Sequence, residues 1–379
     1  MADPVAEVLP FFGAGRENVS IEDKLQQVFS HVMHEGKLLN GPEVFNFEDR
    51  LKKLTGREYA VAVNSATDAL YFTMKGLGIG PGDEVLVPAY TFVASADCII
   101  RAGATPVFVD VIDPRDSNYG APATMDLAKA EEAITPRTKA MIWVGLFGGV
   151  GDPAPIESFA KSHNIALVED ASQSYGARFG DHASGAMGDA SVFSFDRNKL
   201  VGAPGTGGAV LTDDPDIYEQ ARSLRYHGVV KGGKYANLGF NSQMSSLTAA
   251  ILSLKMDLHD GWTDRRNAIA RRYDDVLGSL PVEVMTWPEQ VLHVRHKYVF
   301  LTEQRDALEA HLHAKGVPTK RHYGTAVYQE PVFDGIIPAA AEFPVSTRLS
   351  DMALSLPIYA QMTDAEVDHV VDSLAGFYR

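Results

Sequence analysis

Three short segments of this chain carry residues whose types and order could do chemistry together. In Asn64-Ser65-Ala66-Thr67-Asp68-Ala69-Leu70, small residues and hydroxyls stand where a strand gives way to a helix. Amides at a helix start favour negative charge, so this turn suits a phosphate; Ser or Thr caps also occur there for structural reasons alone. In Ile165-Ala166-Leu167-Val168-Glu169-Asp170, followed by Ala171-Ser172-Gln173, an apolar strand ends in two acids. Open α/β folds bind ligands at the carboxyl edge of the sheet, where Asp170 could hold a protonated pyridine-type nitrogen. Capping a helix or facing water would use the same residue type. The third segment runs from Ser191 through Ser194, Phe195, Asp196, Arg197 and Asn198 to Lys199, then into Gly202-Ala203-Pro204-Gly205-Thr206-Gly207-Gly208. A lone lysine reads as surface, but permissive backbone on this scale can turn one into a site. A phosphate turn, a strand-end carboxylate and a loop lysine, in this order, are what pyridoxal 5′-phosphate (PLP) requires.

The elements that must position these residues are legible from periodicity. Strand-like runs fall at Tyr59–Val63, Val85–Val87, Pro106–Val111, Ala140–Val144 and Ile165–Glu169, with amphipathic stretches between them at Asp68–Leu77, Val93–Ala102, Leu127–Ile134 and Pro155–His163. Each connection is long enough for a βα unit, which predicts an α/β fold with a mostly parallel sheet between helices. Two further strands, Ala190–Phe195 and Ala209–Leu211, follow with no full helix between them, and the lysine lies in that irregular stretch. Beyond Asp214 the pattern turns helical at Pro215–Leu224, Ser245–Leu258 and Thr263–Leu277. Strand-like His296–Leu301 and Val317–His322, with helical Gln304–Lys315 and Asp364–Leu374, predict a smaller C-terminal α+β unit. The expected division is a large domain over 1–260 and a small one over 261–379.

At this point the sequence is identified as resembling the DegT/DnrJ/EryC1/StrS family of PLP enzymes, fold type I, mostly sugar and cyclitol aminotransferases. The resemblance covers nearly the whole chain. It rests on Gly41-Pro42-Glu43-Val44 with Phe47-Glu48, Gly80-Pro81-Gly82-Asp83-Glu84-Val85, Pro88-Ala89-Tyr90-Thr91-Phe92-Val93-Ala94 and Gly103-Ala104-Thr105-Pro106-Val107-Phe108-Val109-Asp110. Thr135-Pro136-Arg137-Thr138-Lys139-Ala140, Glu169-Asp170-Ala171-Ser172-Gln173, Leu224-Arg225-Tyr226-His227-Gly228 and Leu356-Pro357-Ile358 continue it. The resemblance implies that Lys199 forms the Schiff base with the cofactor and that Asp170 pairs with its pyridinium nitrogen. Gln173 would hydrogen-bond the phenolic oxygen and Phe92 would stack on the ring. Ala66, Thr67 and Ser194 would serve the phosphate. Asn241 would reach the phosphate of a neighbouring subunit, which implies a homodimer with shared active sites. His322 and Tyr323 match a family His-Tyr pair and are candidates for the substrate side; for His322 a structural role is equally open.

The chain departs from the family in places that bear on substrate. Gln243 stands where an arginine is common, which removes a fixed cation. A second histidine after His322-Tyr323 is replaced by Tyr328, and Asp196 stands where His or Gln is usual. The glycine-rich run after Lys199 is similar to the branch acting on 3-keto nucleotide sugars. The implied reaction is amino transfer from glutamate or glutamine to a keto sugar acceptor, with a cyclitol aminotransferase as the variant. A PLP-dependent sugar dehydratase would carry His in place of Lys199, and a non-catalytic regulatory homologue would be expected to lose Lys199 or Asp170.

Composition sets the outer limits. The 379 residues carry a formal net charge of −15, which opposes nucleic-acid binding through phosphate neutralisation. No stretch of 18 apolar residues predicts a membrane span, and no basic start with an apolar region predicts a secretory signal. The single cysteine, Cys98, suits a reducing compartment, so a cytoplasmic setting is expected, and its apolar neighbours predict a buried structural thiol. No HExxH or CxxC pair suggests a metal, and His311 and His313 point apart on a helix.

Overall fold

The apolar runs between Tyr59 and Thr212 form one sheet because both of its faces are buried. The computed structural model describes residues 9–116, 121–336 and 341–379. After α1 (Ala14–Ser20), α2 (Glu22–Glu35) and α3 (Pro42–Thr55), the chain alternates β1 (Tyr59–Val63), α4 (Ala66–Gly76), β2 (Glu84–Pro88), α5 (Ala94–Arg101), β3 (Thr105–Val109), α6 (Leu127–Ala133), β4 (Thr138–Val144), α7 (Pro153–Ser162) and β5 (Ala166–Asp170). A short hairpin, β6 (Arg178–Phe179) and β7 (His182–Ala183), precedes β8 (Ala190–Ser194) and β9 (Gly208–Thr212). Seven strands pair in the order β1-β9-β8-β5-β4-β2-β3. All pairings are parallel except those of β9, which runs antiparallel to both β1 and β8. The predicted mostly parallel sheet is therefore present, with one reversed strand.

Alternation along the strands explains the continuous apolar runs. Val61 and Val63 pack into one core with Val87, Val144 and Val192, whereas Ala60 and Ala62 face the other side with Phe193, Ala209 and Leu211. Toward β4, the second face is filled by Leu86, Met141, Trp143 and Leu167. Fully burying a side chain such as Phe193 stabilises by about 1.5–3 kcal/mol, so neither face tolerates polar replacement. The edge strand β1 is tied to its surroundings by a buried ion pair. Glu48 of α3 accepts from the Ala62 amide at 2.8 Å and from Arg225 at 2.7 Å, and Arg225 also reaches the Ala62 carbonyl.

After β9 the chain forms α8 (Pro215–Arg225), a hairpin of β10 (Val229–Val230) and β11 (Lys234–Tyr235), α9 (Ser246–Met256) and α10 (His259–Leu277). The C-terminal part adds β12 (Glu283–Val284), β13 (Val291–Leu292), β14 (Tyr298–Leu301), α11 (Arg305–Ala314), α12 (Pro344–Met352), β15 (Ala353–Leu356) and α13 (Asp364–Phe377). Its own antiparallel sheet has the order β12-β14-β15, and a separate core formed by Tyr273, Phe300, Leu308, Leu354 and Val370 fills the space below it. This is the α+β arrangement expected of the C-terminal region. We propose that the boundary between the two units lies at the start of α10.

One expectation is corrected here. The segment 317–322 is not a strand: it makes one isolated bridge, Lys320 with Ser355, and the strand that fills the sheet is β15. The three helices before β1 and the helix α12 went unassigned in the sequence. Cys98 is buried as expected, its thiol donating to the Ser95 carbonyl and its pKa pushed well above the ordinary value, chiefly by burial.

Gly208 lies directly against the backbone of the Ser65–Ala66 turn. A Cβ there would lie 2.4 Å from the Ser65 carbonyl carbon and 2.5 Å from the Ala66 amide nitrogen. Gly208→Ala should therefore lower stability by about 1–3 kcal/mol, read as a fall in denaturation midpoint; an unchanged midpoint would contradict the packing described. Buried histidines add a pH dependence. His293 accepts from the Arg295 amide through Nδ1, and burial followed by the Arg295 charge holds its pKa well below 6.5. The unfolded chain then binds the extra proton, so this stability is full above pH 6.5 and is lost as pH falls below it. His293→Gln should flatten the decline in stability between pH 7.5 and 5.5, by about one proton at most, in a denaturation series.

Candidate active site

The carboxyl ends of β1, β5 and β8 converge on one edge of the sheet, and the reversed strand β9 begins there. Between them lies a cavity of about 500 Å³. Ala66, Thr67, Phe92, Asp170, Gln173, Ser194, Lys199, His322 and Tyr323 all contribute to its wall. These are the residues that the sequence marked, brought together from segments more than 250 positions apart.

At the floor, Asp170 ends β5 and is buried. Its carboxylate is held rigidly: the Ser95 hydroxyl donates to Oδ2 at 2.7 Å, and the Ser172 amide donates to Oδ1 at 3.1 Å. To one side, Ser65 caps α4 by accepting from the Asp68 amide at 3.1 Å. The structural reading of that serine is thus correct, and it leaves the amides of Ala66 and Thr67, at the first helical positions, with no carbonyl one turn earlier. Both residues line the cavity, where such amides can receive an anion. Asp68 is fixed from behind by the Ser242 hydroxyl at 2.6 Å, so the turn cannot tilt away.

Lys199 enters from the loop between β8 and β9. Phe195 donates its amide to Gly207 O at 2.8 Å, Arg197 to Gly205 O at 3.0 Å, and Lys199 to Asp196 O at 2.8 Å. A Cβ on Gly202 would lie 2.6 Å from Arg197 O, so the tight fold of the loop depends on that glycine. Lys255, buried, donates to Gly202 O at 2.8 Å and pairs with Glu17 of α1 at 2.7 Å. Burial pushes the pKa of Lys199 down, against the opposing pull of Asp170 and Asp196. A lysine in this state gives up its proton more readily than one in water.

The opposite wall comes from the C-terminal region. Gln173 accepts from the Phe147 amide at 3.2 Å and donates to the Tyr323 hydroxyl at 3.1 Å. Tyr323 donates its amide to the Tyr90 hydroxyl at 2.7 Å, and Tyr90 in turn donates to the His322 carbonyl. His322 lines the cavity, and its Nδ1 lies 2.8 Å from Ser355 Oγ; both the lining and the structural reading apply to it. Phe92 is 53 % exposed, with its ring 6.1 Å from that of Tyr323.

Asn241 is not brought to this cavity. It is exposed, bridges Tyr226, and accepts weakly from Gln243 at 3.4 Å. The cavity also contains residues that the sequence did not mark: Phe12, His296 and Lys297. The pair Phe11-Phe12 ahead of Gly13 was a usable signal, whereas the role of Ser95 under Asp170 left none. Among the described residues, no group of three or more His, Cys, Asp or Glu side chains could hold a metal, and no helix is long and apolar enough to cross a membrane.

The residues present fit PLP: unpaired amides at a helix start, a fixed carboxylate and an amine all line one cavity. Comparisons with known proteins agree. The sequence profile of the DegT/DnrJ/EryC1/StrS aminotransferase family matches residues 19–375. A pleiotropic regulatory protein from Geobacillus stearothermophilus is 33% identical, covering 98% of this chain and 99% of its own. A dTDP-3-amino-3,4,6-trideoxy-alpha-D-glucose transaminase from Streptomyces venezuelae is 34% identical, covering 97% and 95%. The crystal structure of S. venezuelae DesV in complex with a ketimine intermediate superposes with a TM-score of 0.92 at 34% identity, covering 98% of each chain. A structure of ntda from Bacillus subtilis with bound cofactor PMP gives a TM-score of 0.87 at 30% identity, covering 100% of this chain and 87% of that one. This chain belongs to the DegT/DnrJ/EryC1/StrS family and is a PLP-dependent aminotransferase.

Proposed function

We propose that this enzyme transfers an amino group from glutamate or glutamine to the keto group of a nucleotide-linked sugar, at carbon 3. The observation that carries the catalytic part is the placement of Lys199 and Asp170 on one cavity with the free amides of Ala66 and Thr67. The acceptor class draws on the S. venezuelae relative, whose name places an amino group on carbon 3 of a dTDP-linked sugar. The glycine-rich run after Lys199 supports the same class.

When bound, PLP supplies the electron sink that lets a substrate carbon lose its proton. The chain's own residues then divide the work. Asp170, held by Ser95 and Ser172, is placed to keep the ring nitrogen protonated. The amides of Ala66 and Thr67, with the Ser194 hydroxyl, hold the phosphate. Gln173 and Phe92 orient the ring. Lys199 Nζ, made less basic by burial, would hold the cofactor and, once displaced by substrate, would take the substrate proton, so one amine serves as tether and as base.

We further propose a homodimer in which Asn241 completes the phosphate site of the neighbouring subunit. Its exposure supports this, as do the exposed apolar side chains of its bridge partner Tyr226 and its chain neighbours Leu238 and Phe240. A regulatory reading draws on the name of the Geobacillus relative, but intact Lys199 and Asp170 favour catalysis.

Lys199→Ala should bind the cofactor without a covalent bond and lose amino transfer by at least about 10³-fold. Absorbance before and after adding glutamate, with a screen of keto-sugar nucleotides and inososes as acceptors, checks both parts. Normal turnover in that variant would refute the assignment of Lys199. Amination of inososes alone would replace the nucleotide sugar with a cyclitol.

A further inference from the structure

The cavity holds a second amine that the proposed chemistry does not use. Lys297 lines it together with Lys199, and its backbone is anchored by donation to Phe147 O at 3.2 Å, immediately before β14. Its ammonium lies 3.2 Å from His296 Nε2 and 5.7 Å from the centre of the Phe12 ring. Lys320 approaches the other part of this aromatic wall, 4.8 Å from Phe12 and 5.6 Å from Phe11.

Neither lysine has an acidic partner among the described residues. The carboxylates of the cavity are committed elsewhere, Asp170 to Ser95 and Ser172, and Asp196 to the Asn198 amide. A neutral imidazole and a phenyl face orient an ammonium without neutralising it. Burial comes first in pushing the Lys297 pKa well down, with Lys199, Lys320 and Arg266 adding repulsion and the charge of Asp196 pulling the other way. An anion delivered to this corner would offset both the burial and the repulsion. A half-buried amine with no ion-pair partner is otherwise a cost that an apolar residue of the same length would remove.

We propose that Lys297 is an anion-recognition point of the active cavity, binding a carboxylate or phosphoryl oxygen of the substrate while Lys199 attends to the reacting carbon. This rests on the aminotransferase reading and adds a specificity residue to it. The anionic oxygen has two sources, the amino donor's carboxylate or the diphosphate of a nucleotide-linked acceptor.

Kinetics of the holoenzyme distinguish them. K297M and K297Q remove the charge at nearly constant length, and K297R keeps it; cofactor absorbance and melting temperature report that each variant is folded and loaded. The half-reaction is followed with L-glutamate and with L-glutamine, and thymidine diphosphate is titrated as an inhibitor. For at least one probe, the half-saturating concentration should rise about tenfold or more in both neutral variants, with the limiting rate changed less than about threefold. K297R should recover most of the loss. A rise for the amino acids assigns the donor carboxylate, and a rise for thymidine diphosphate assigns the acceptor. Unchanged half-saturation for every probe in both neutral variants, or a loss confined to the limiting rate, overturns the proposal. A wild-type enzyme that reacts with neither amino acid would instead refute the donor assignment, and the thymidine diphosphate titration would still decide the role of Lys297.

Discussion

Holding an amine inside the protein, within reach of a carboxylate but not paired with it, is the constraint around which this fold is arranged. Desolvation disfavours the charged form of Lys199, and a direct salt bridge to Asp170 would restore that charge. The structure avoids the bridge by satisfying Asp170 first, through the Ser95 hydroxyl and the Ser172 amide. It brings the lysine in from a different strand, on a loop whose amides bond back to Gly205 and Gly207. Strand β9 has to run antiparallel for this to work, because only a reversed strand returns the loop to the same sheet edge. Gly208 then lets β9 pass against the Ser65–Ala66 turn, so the lysine loop and the anion site are built on one contact.

The second wall depends on the C-terminal region. Tyr90, Tyr323 and Gln173 form a chain of hydrogen bonds that runs from the loop after β2 to the Phe147 amide. This fixes the Gln173 side chain, with its amide nitrogen directed toward Tyr323. Burial pushes the Tyr323 phenol pKa up, so it remains a neutral hydroxyl beside the cavity at any ordinary pH.

Much of this was legible in the sequence because the parallel strands are buried on both faces and read as uninterrupted apolar runs. Asp170 stood out because it ends such a run, and Lys199 because it follows one into a glycine-rich loop. The small sheet was harder. Its strand β15, Ala353–Leu356, has no β-branched residue, while the segment 317–322 begins with Val317 and Thr319 and still makes only one bridge. Helix α2 leaves Phe29 and Met33 exposed, so its pattern did not resemble that of a core-facing helix. His296 and Lys297 reach the cavity from a distant segment that carries no local mark of a site. The position of Asn241, outside the cavity of its own chain, could be expected only from the family resemblance.

Two lysines line the cavity, Lys199 and Lys297, and the assignment of the cofactor to Lys199 is the central claim. Reducing the holoenzyme with borohydride fixes a lysine-bound cofactor irreversibly, and peptide mass mapping then identifies the residue that carries it. The account predicts a phosphopyridoxyl group on the peptide containing Lys199, with the peptide containing Lys297 unmodified. A label on Lys297, or none on any lysine of a fully loaded enzyme, would contradict it.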